Sequence, residues 1–310
     1  MVANIDQSIF RKFDNLELLA RQVVEGFITG MHKSPFHGFS VEFAEHRQYN
    51  PGESIRHIDW KLFARSEKLF VKKYEEETNL RCQIVLDNSS SMYFPKIGEQ
   101  SDQLSKLAFS VYCASAIIYL LRKQRDATGL TVFSDKIENH IPPKSKSIHQ
   151  KMLFTELSKI LKSEQQILNK KTNTAEQLHL LAEKVHKRSL VIIFSDMMDD
   201  PENVHEIFSA LQHLKHNKHE VIVFNVFDHD KEVSLNYQNR PYRFVDMETG
   251  KEIKFNPNEL RDKYKEIVSD YYHKIKLKCM QYKIDFVESD IKQGFDKVLT
   301  SFLVKRSRLY

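Results

Sequence analysis

CQIVLDNSSS, residues 82–91, is a short apolar run that ends in an acid and passes straight into hydroxyl side chains. An apolar run of this kind suits a parallel strand buried on both faces. Its last five residues have the form Asp87-x-Ser89-x-Ser91. One carboxylate and two alcohols at alternate positions of a tight loop can converge on one point. They are hard oxygen donors of low total charge, which suits Mg²⁺ or Mn²⁺ and not Zn²⁺. As a bare pattern the spacing is weak, because Asp and Ser often come after strands as turn residues. Taken alone, residues 87–91 read as a turn that caps the next helix.

A second tract changes that balance. LVIIFSD, residues 190–196, is another apolar strand ending in an acid, Asp196, and Thr172-Asn173-Thr174 precedes a helix in the interval between. HEVIVFNVFD (219–228) reads as a third buried strand, and helical patterns fall at 101–123, 148–162, 174–187 and 257–283. ATGLTVFSD (127–135) and KIENHI (136–141) read as a strand and its edge neighbour. YRFVDMETGKEIKF (242–255) reads as an inserted hairpin turning near Thr249-Gly250, and 284–287 and 294–305 as a last strand and helix. Strands alternating with helices predict an α/β fold on a doubly wound, mostly parallel sheet. In such sheets ligands bind outside the carboxyl ends of the strands, where the strand order reverses. If the strands ending at Asp87 and Asp196 are neighbours there, both acids reach one crevice. A metal site is then the better reading.

The first 80 residues look different. Leu16, Leu19, Val23 and Phe27 recur at helical spacing, and residues 34–59 are rich in His, Pro, Gly and aromatics. FSVEF (39–43) and KLFVKKY (68–74) look extended. The expected division is a helix plus a small β-rich subdomain over 1–80, and the α/β domain over 81–310. The lone Trp60 is expected to be buried as an anchor at the junction, and Tyr271-Tyr272 to belong to the apolar stripe of a helix.

Composition narrows the function. The chain has 310 residues, 41% apolar and 29% charged, enough for a substantial core. No signal-peptide pattern opens it, and no stretch reaches the ~18 apolar residues of a membrane span. Cys82, Cys113 and Cys279 are few, odd in number and widely spaced, which points to a reducing, cytoplasmic setting. The net charge of +5 is interspersed, which argues against nucleic acid as a partner. A monomer or weak oligomer is expected. There is no G-x-x-x-x-G-K-S/T, no G-x-S-x-G and no H-E-x-x-H, so no catalytic residue is assigned. The strongest enzyme alternative is a metal-dependent phosphohydrolase using Asp87. It would want a second carboxylate at position 89, where serine stands.

Two resemblances join these readings. From Arg81 onward the chain resembles the von Willebrand factor A fold, whose metal-ion-dependent adhesion site uses D-x-S-x-S, a threonine in a later loop and an aspartate after the fourth strand. The resemblance implies Asp87, Ser89, Ser91, Thr172 and Asp196 as ligands. The usual glycine is missing from the threonine loop, so Thr174 is the alternate to Thr172. HRQYNPGESIRHIDWKLFAR, residues 46–65, is similar to the signature of a bacterial family of unknown function, number fifty-eight in the DUF series. The match uses Arg47, Tyr49, Pro51, Gly52, Glu53, Arg56, Ile58, Asp59, Trp60, Ala64 and Arg65. It implies a protein partner, a MoxR-type AAA+ ATPase or that ATPase's client. The combined expectation is a non-enzymatic module that docks this partner through a divalent cation.

Overall fold

The computed structural model describes residues 15–31, 46–48, 60–66, 68–72, 80–95, 104–163, 173–199 and 204–307. They fall into two units. One comprises helix α1 (Leu16–Met31) with residues 80–310, and the other is His32–Asn79.

In the smaller unit β1 (His46–Gln48) pairs antiparallel with β2 (Phe70–Lys72), and α2 (Trp60–Ser66) lies between them in sequence. The extended reading of 68–74 holds at β2, while FSVEF lies outside the described residues. Trp60 corrects the sequence expectation: it is 58% exposed. It opens a seven-residue helix and packs edge-to-face on Phe63, also exposed, one turn on. Helical spacing supplies this aromatic neighbour locally, so the ring is not driven into a core.

The larger unit is built on a six-stranded sheet. Its elements in chain order are β3 (Arg81–Asp87), α3 (Lys106–Lys123), β4 (Ala127–Phe133), β5 (Ile137–Lys144), α4 (Ser147–Ser163), α5 (Thr174–Lys184), β6 (Leu190–Ser195), α6 (Val204–His216) and β7 (Glu220–Phe227). A hairpin of β8 (Tyr242–Val245) and β9 (Glu252–Phe255) comes next, then α7 (Pro257–Gln281), β10 (Asp285–Asp290) and α8 (Asp296–Ser307). The spatial order is β10-β7-β6-β3-β4-β5, parallel except for β5. That strand carries Pro142-Pro143, residues a sheet tolerates at its edge.

The apolar runs are explained by helices on both faces. One core joins α1, α3, α4 and α8 to alternate residues of the strands, including Ile84, Leu86, Ile192 and Phe194. The other joins α5, α6 and α7 to the intervening ones, Val85, Val191, Ile193 and Val223. Helix α1 belongs to the first core through Leu16, Leu19, Val23 and Phe27, and Glu17 pairs with Arg122 of α3. The sequence reading set α1 apart with residues 1–80. Its stripe shows that one face is buried, not what buries it. The pattern starting at 101 begins as helix only at Lys106, because Ser105 caps it by accepting from Ala108 N at 3.0 Å.

The chain leaves β3 towards β4 on one side and returns to β6 on the other. Strand order therefore reverses between β3 and β6. The exposed position of Trp60 sets one expectation: Trp60→Ala changes folding stability by less than about 1 kcal/mol in urea denaturation. A loss of several kcal/mol would restore the buried-anchor reading.

Candidate functional site

The register decides what meets at this reversal. Leu86 is paired with Phe194, so Asp87 and Ser195 end neighbouring strands side by side. Ser195 Oγ donates to Asp87 Oδ2 at 2.7 Å, and the next residue is Asp196. Asp87 and Asp196 are 0% and 2% exposed. Two carboxylates are thus buried together at the carboxyl ends of adjacent parallel strands, from tracts more than 100 residues apart.

The loop after β3 keeps its hydroxyls for this site. Asp87 Oδ1 accepts from Ser89 N at 2.9 Å, an Asx turn, so the turn reading is correct for the aspartate. It fails for Ser89. That residue stands at the N-cap of a short 3₁₀ turn (Ser90–Tyr93), yet its side chain makes no capping bond. Ser89 Oγ lies 3.0 Å from Ser91 Oγ instead. Asn88 fixes the loop from below: its backbone N–H donates to Phe133 O, its amide to Glu138 Oε2, and it accepts from Tyr93 OH.

Of the two threonines, Thr172 lies outside the described residues. Thr174 opens α5, and its buried hydroxyl has no partner among the described residues. Gln177, one turn on, donates to Asp135 O just past β4, which places the start of α5 at the carboxyl edge of the sheet. Of the signature residues, Arg47 lies in β1, and Trp60 and Arg65 are exposed on α2. Tyr49, Pro51, Gly52, Glu53, Arg56, Ile58 and Asp59 lie outside the described residues.

Four further residues belong to the site that the sequence reading missed. Lys106 is 1% exposed, and its Nζ donates to Asp196 Oδ2 at 2.8 Å and to Glu232 Oε1 at 2.5 Å. Burial opposes its charge, but Asp196 and Glu232 outweigh burial and raise its pKa. One signal could have found it, since a lysine in the first turn of an apolar helix opposes the helix dipole. Tyr271 and Tyr272 are more than an apolar stripe. Their hydroxyls donate to Met197 O at 2.8 Å and Asp196 O at 3.3 Å, pinning the loop after β6 to α7. Met197 there has φ +49, a conformation rare for a side chain of its size.

The charges do not cancel. When all three are ionised, Asp87, Asp196 and Glu232 carry three negative charges against one on Lys106. Among the described residues no cation pairs with Asp87, and burial, then the neighbouring Asp196, pushes its carboxyl up to about 7. Hard oxygens, a surplus of acidic over basic groups and a hydroxyl without a partner among the described residues fit a divalent cation of the Mg²⁺ type. Among the described residues no group of three or more His, Cys, Asp or Glu is placed to hold a metal. A cation here would therefore lean on Ser89, Ser91 and a threonine beside the two aspartates.

Residues 45–273 match the family model described as Protein of unknown function DUF58. The chain belongs to that family. An uncharacterized protein of Mycobacterium tuberculosis is 26% identical over 223 residues, 72% of this chain, and one from Mycobacterium bovis matches equally. The aligned stretch covers 66% of each relative, just under two thirds of its length. Among solved structures, the conserved hypothetical protein BatB from Bacteroides thetaiotaomicron superposes with TM-score 0.43 at 17% identity, covering 74% of this chain and 99% of that one. An aerotolerance-related membrane protein from Bacteroides fragilis gives 0.39 at 18% identity, with 72% and 97% covered. In this DUF58 chain no helix among the described residues is long and apolar enough to cross a membrane.

The raised Asp87 gives a pH signature. The folded state keeps a proton that an unfolded aspartate loses near pH ~4, so stability falls as pH rises from about 4 to about 7. In chelator, Asp87→Asn should be more stable than the wild type at pH 8, with the gap closing towards pH 4. A less stable variant at pH 8 would show that the carboxylate is compensated after all.

Proposed function

We propose that this DUF58 protein is a non-catalytic interaction module of the von Willebrand factor A type, binding a partner through a divalent cation at the β3–β6 reversal. The observation that carries the reading is the pair of buried aspartates from neighbouring strand ends, with two serine hydroxyls beside them and a surplus of acidic over basic groups. Asp87 and Asp196 supply charge, and Ser89, Ser91 and Thr172 or Thr174 supply neutral oxygens. A bound Mg²⁺ or Mn²⁺ supplies an open Lewis-acid position that accepts an oxygen ligand from outside. The serines and threonine hold that charge without neutralising it, which favours an acidic group of the partner. Tyr271 and Tyr272 hold the Asp196 loop in place for this. The family resemblance supports a MoxR-type AAA+ ATPase, or its client, as the partner, and the few, widely spaced cysteines support a cytoplasmic setting.

A bridging role needs no positioned base or nucleophile, whereas metal-assisted hydrolysis needs an aimed water and a proton donor. The Asp87 oxygens accept from Ser89 N and Ser195 Oγ, and the Asp196 oxygens from Met198 N and Lys106 Nζ, which supports the bridging role.

Pull-down and calorimetry with the MoxR-type ATPase of the same organism test this. Association is expected with Mg²⁺ or Mn²⁺, lost in chelator, and weakened at least about tenfold by Asp87→Ala, about 1.4 kcal/mol or more. The same preparation should not turn over phosphate esters or nucleotides. Metal-dependent turnover abolished by Asp87→Ala would replace the proposal with a phosphohydrolase.

A further inference from the structure

We infer that Lys106 is a resident cation of the site that competes directly with a divalent ion for Asp196. The inference rests on the metal-site proposal and adds the residue that sets its affinity. Lys106 has two features that cost free energy on their own: a buried ammonium and a cation at a helix N-terminus. Both are offset by Asp196 at 2.8 Å and Glu232 at 2.5 Å. The oxygen that Lys106 holds, Asp196 Oδ2, belongs to one of the two acids proposed to face the metal. The other oxygen, Oδ1, accepts from Met198 N at 3.1 Å. A divalent ion approaching Asp196 therefore meets a tethered positive charge already bonded there.

Glu232 makes this a competition and not a block. It lies in the turn His229–Val233 after β7, and its second oxygen accepts from Asp228 N at 2.8 Å. Lys106 can release Asp196 and remain paired with Glu232. The ion then gains Asp196 at the cost of one of the two bonds of the ammonium. The arrangement keeps the empty site folded, since Asp196 never stands unpaired, and it lowers affinity for the ion.

The test separates this from a general field effect. Lys106→Met with Glu232→Gln removes one positive and one negative charge, so the net charge of the site stays as in the wild type. Mn²⁺ binding is measured by isothermal titration calorimetry on the full chain, with folding checked by circular dichroism. The paired variant is expected to bind Mn²⁺ at least about tenfold tighter than the wild type, and adding Asp87→Ala should abolish that binding. Lys106→Arg, which keeps the charge, should not gain affinity. If the methionine pair does not fold, Lys106→Gln with Glu232→Gln, which also keeps the net charge of the site and leaves a neutral donor at position 106, takes its place with the same expectation. Affinity equal to or weaker than the wild type, or no binding in any protein, overturns the inference. A silent wild type beside a tight paired variant supports it and removes the metal from the proposed function. A binding wild type with an equal variant does the reverse.

Discussion

Two carboxylates buried side by side at the ends of β3 and β6 repel each other. Most of the surrounding structure can be understood as the accommodation of that repulsion. Ser195 donates to one oxygen of Asp87, and the backbone of Ser89 to the other. Lys106 reaches from the first turn of α3 to Asp196 and continues to Glu232, which ties the ends of three chain segments together. Tyr271 and Tyr272 fix the backbone that carries Asp196 from the far side. A like-charge pair removed from water survives only with such partners, and its surplus charge is what a cation or a basic group would recognise.

The elements visible in the sequence were those whose signal is local. A strand covered on both faces must be apolar throughout, so β3 and β6 stood out, and the acids that end them stood out with them. The inserted hairpin was legible because its aromatic-rich arms alternate and Gly250, at φ +72, marks the turn. Helix α1 was legible as a helix but not as a part of the sheet unit. The choice of neighbour is made by tertiary packing on α3.

The residues that were missed share one property. Lys106, Glu232, Tyr271 and Tyr272 each look ordinary in their own segment, and become part of the site only through partners about 75 to 125 positions away. Trp60 failed in the opposite sense. Its size suggested a core, while an aromatic neighbour sits on the same short helix. The family match runs from residue 45 to 273 and so includes Asp87, Lys106, Asp196, Glu232 and both tyrosines.

The central claim is that this crevice takes a divalent ion between Asp87, Ser89, Ser91 and Asp196. Crystals grown with saturating Mn²⁺ and measured at the manganese absorption edge test it most directly. The account predicts an anomalous peak within bonding distance of Ser89 and Ser91 oxygens, with Lys106 turned from Asp196 towards Glu232. A crevice without a peak at saturating Mn²⁺, with Lys106 still bonded to Asp196, would contradict it.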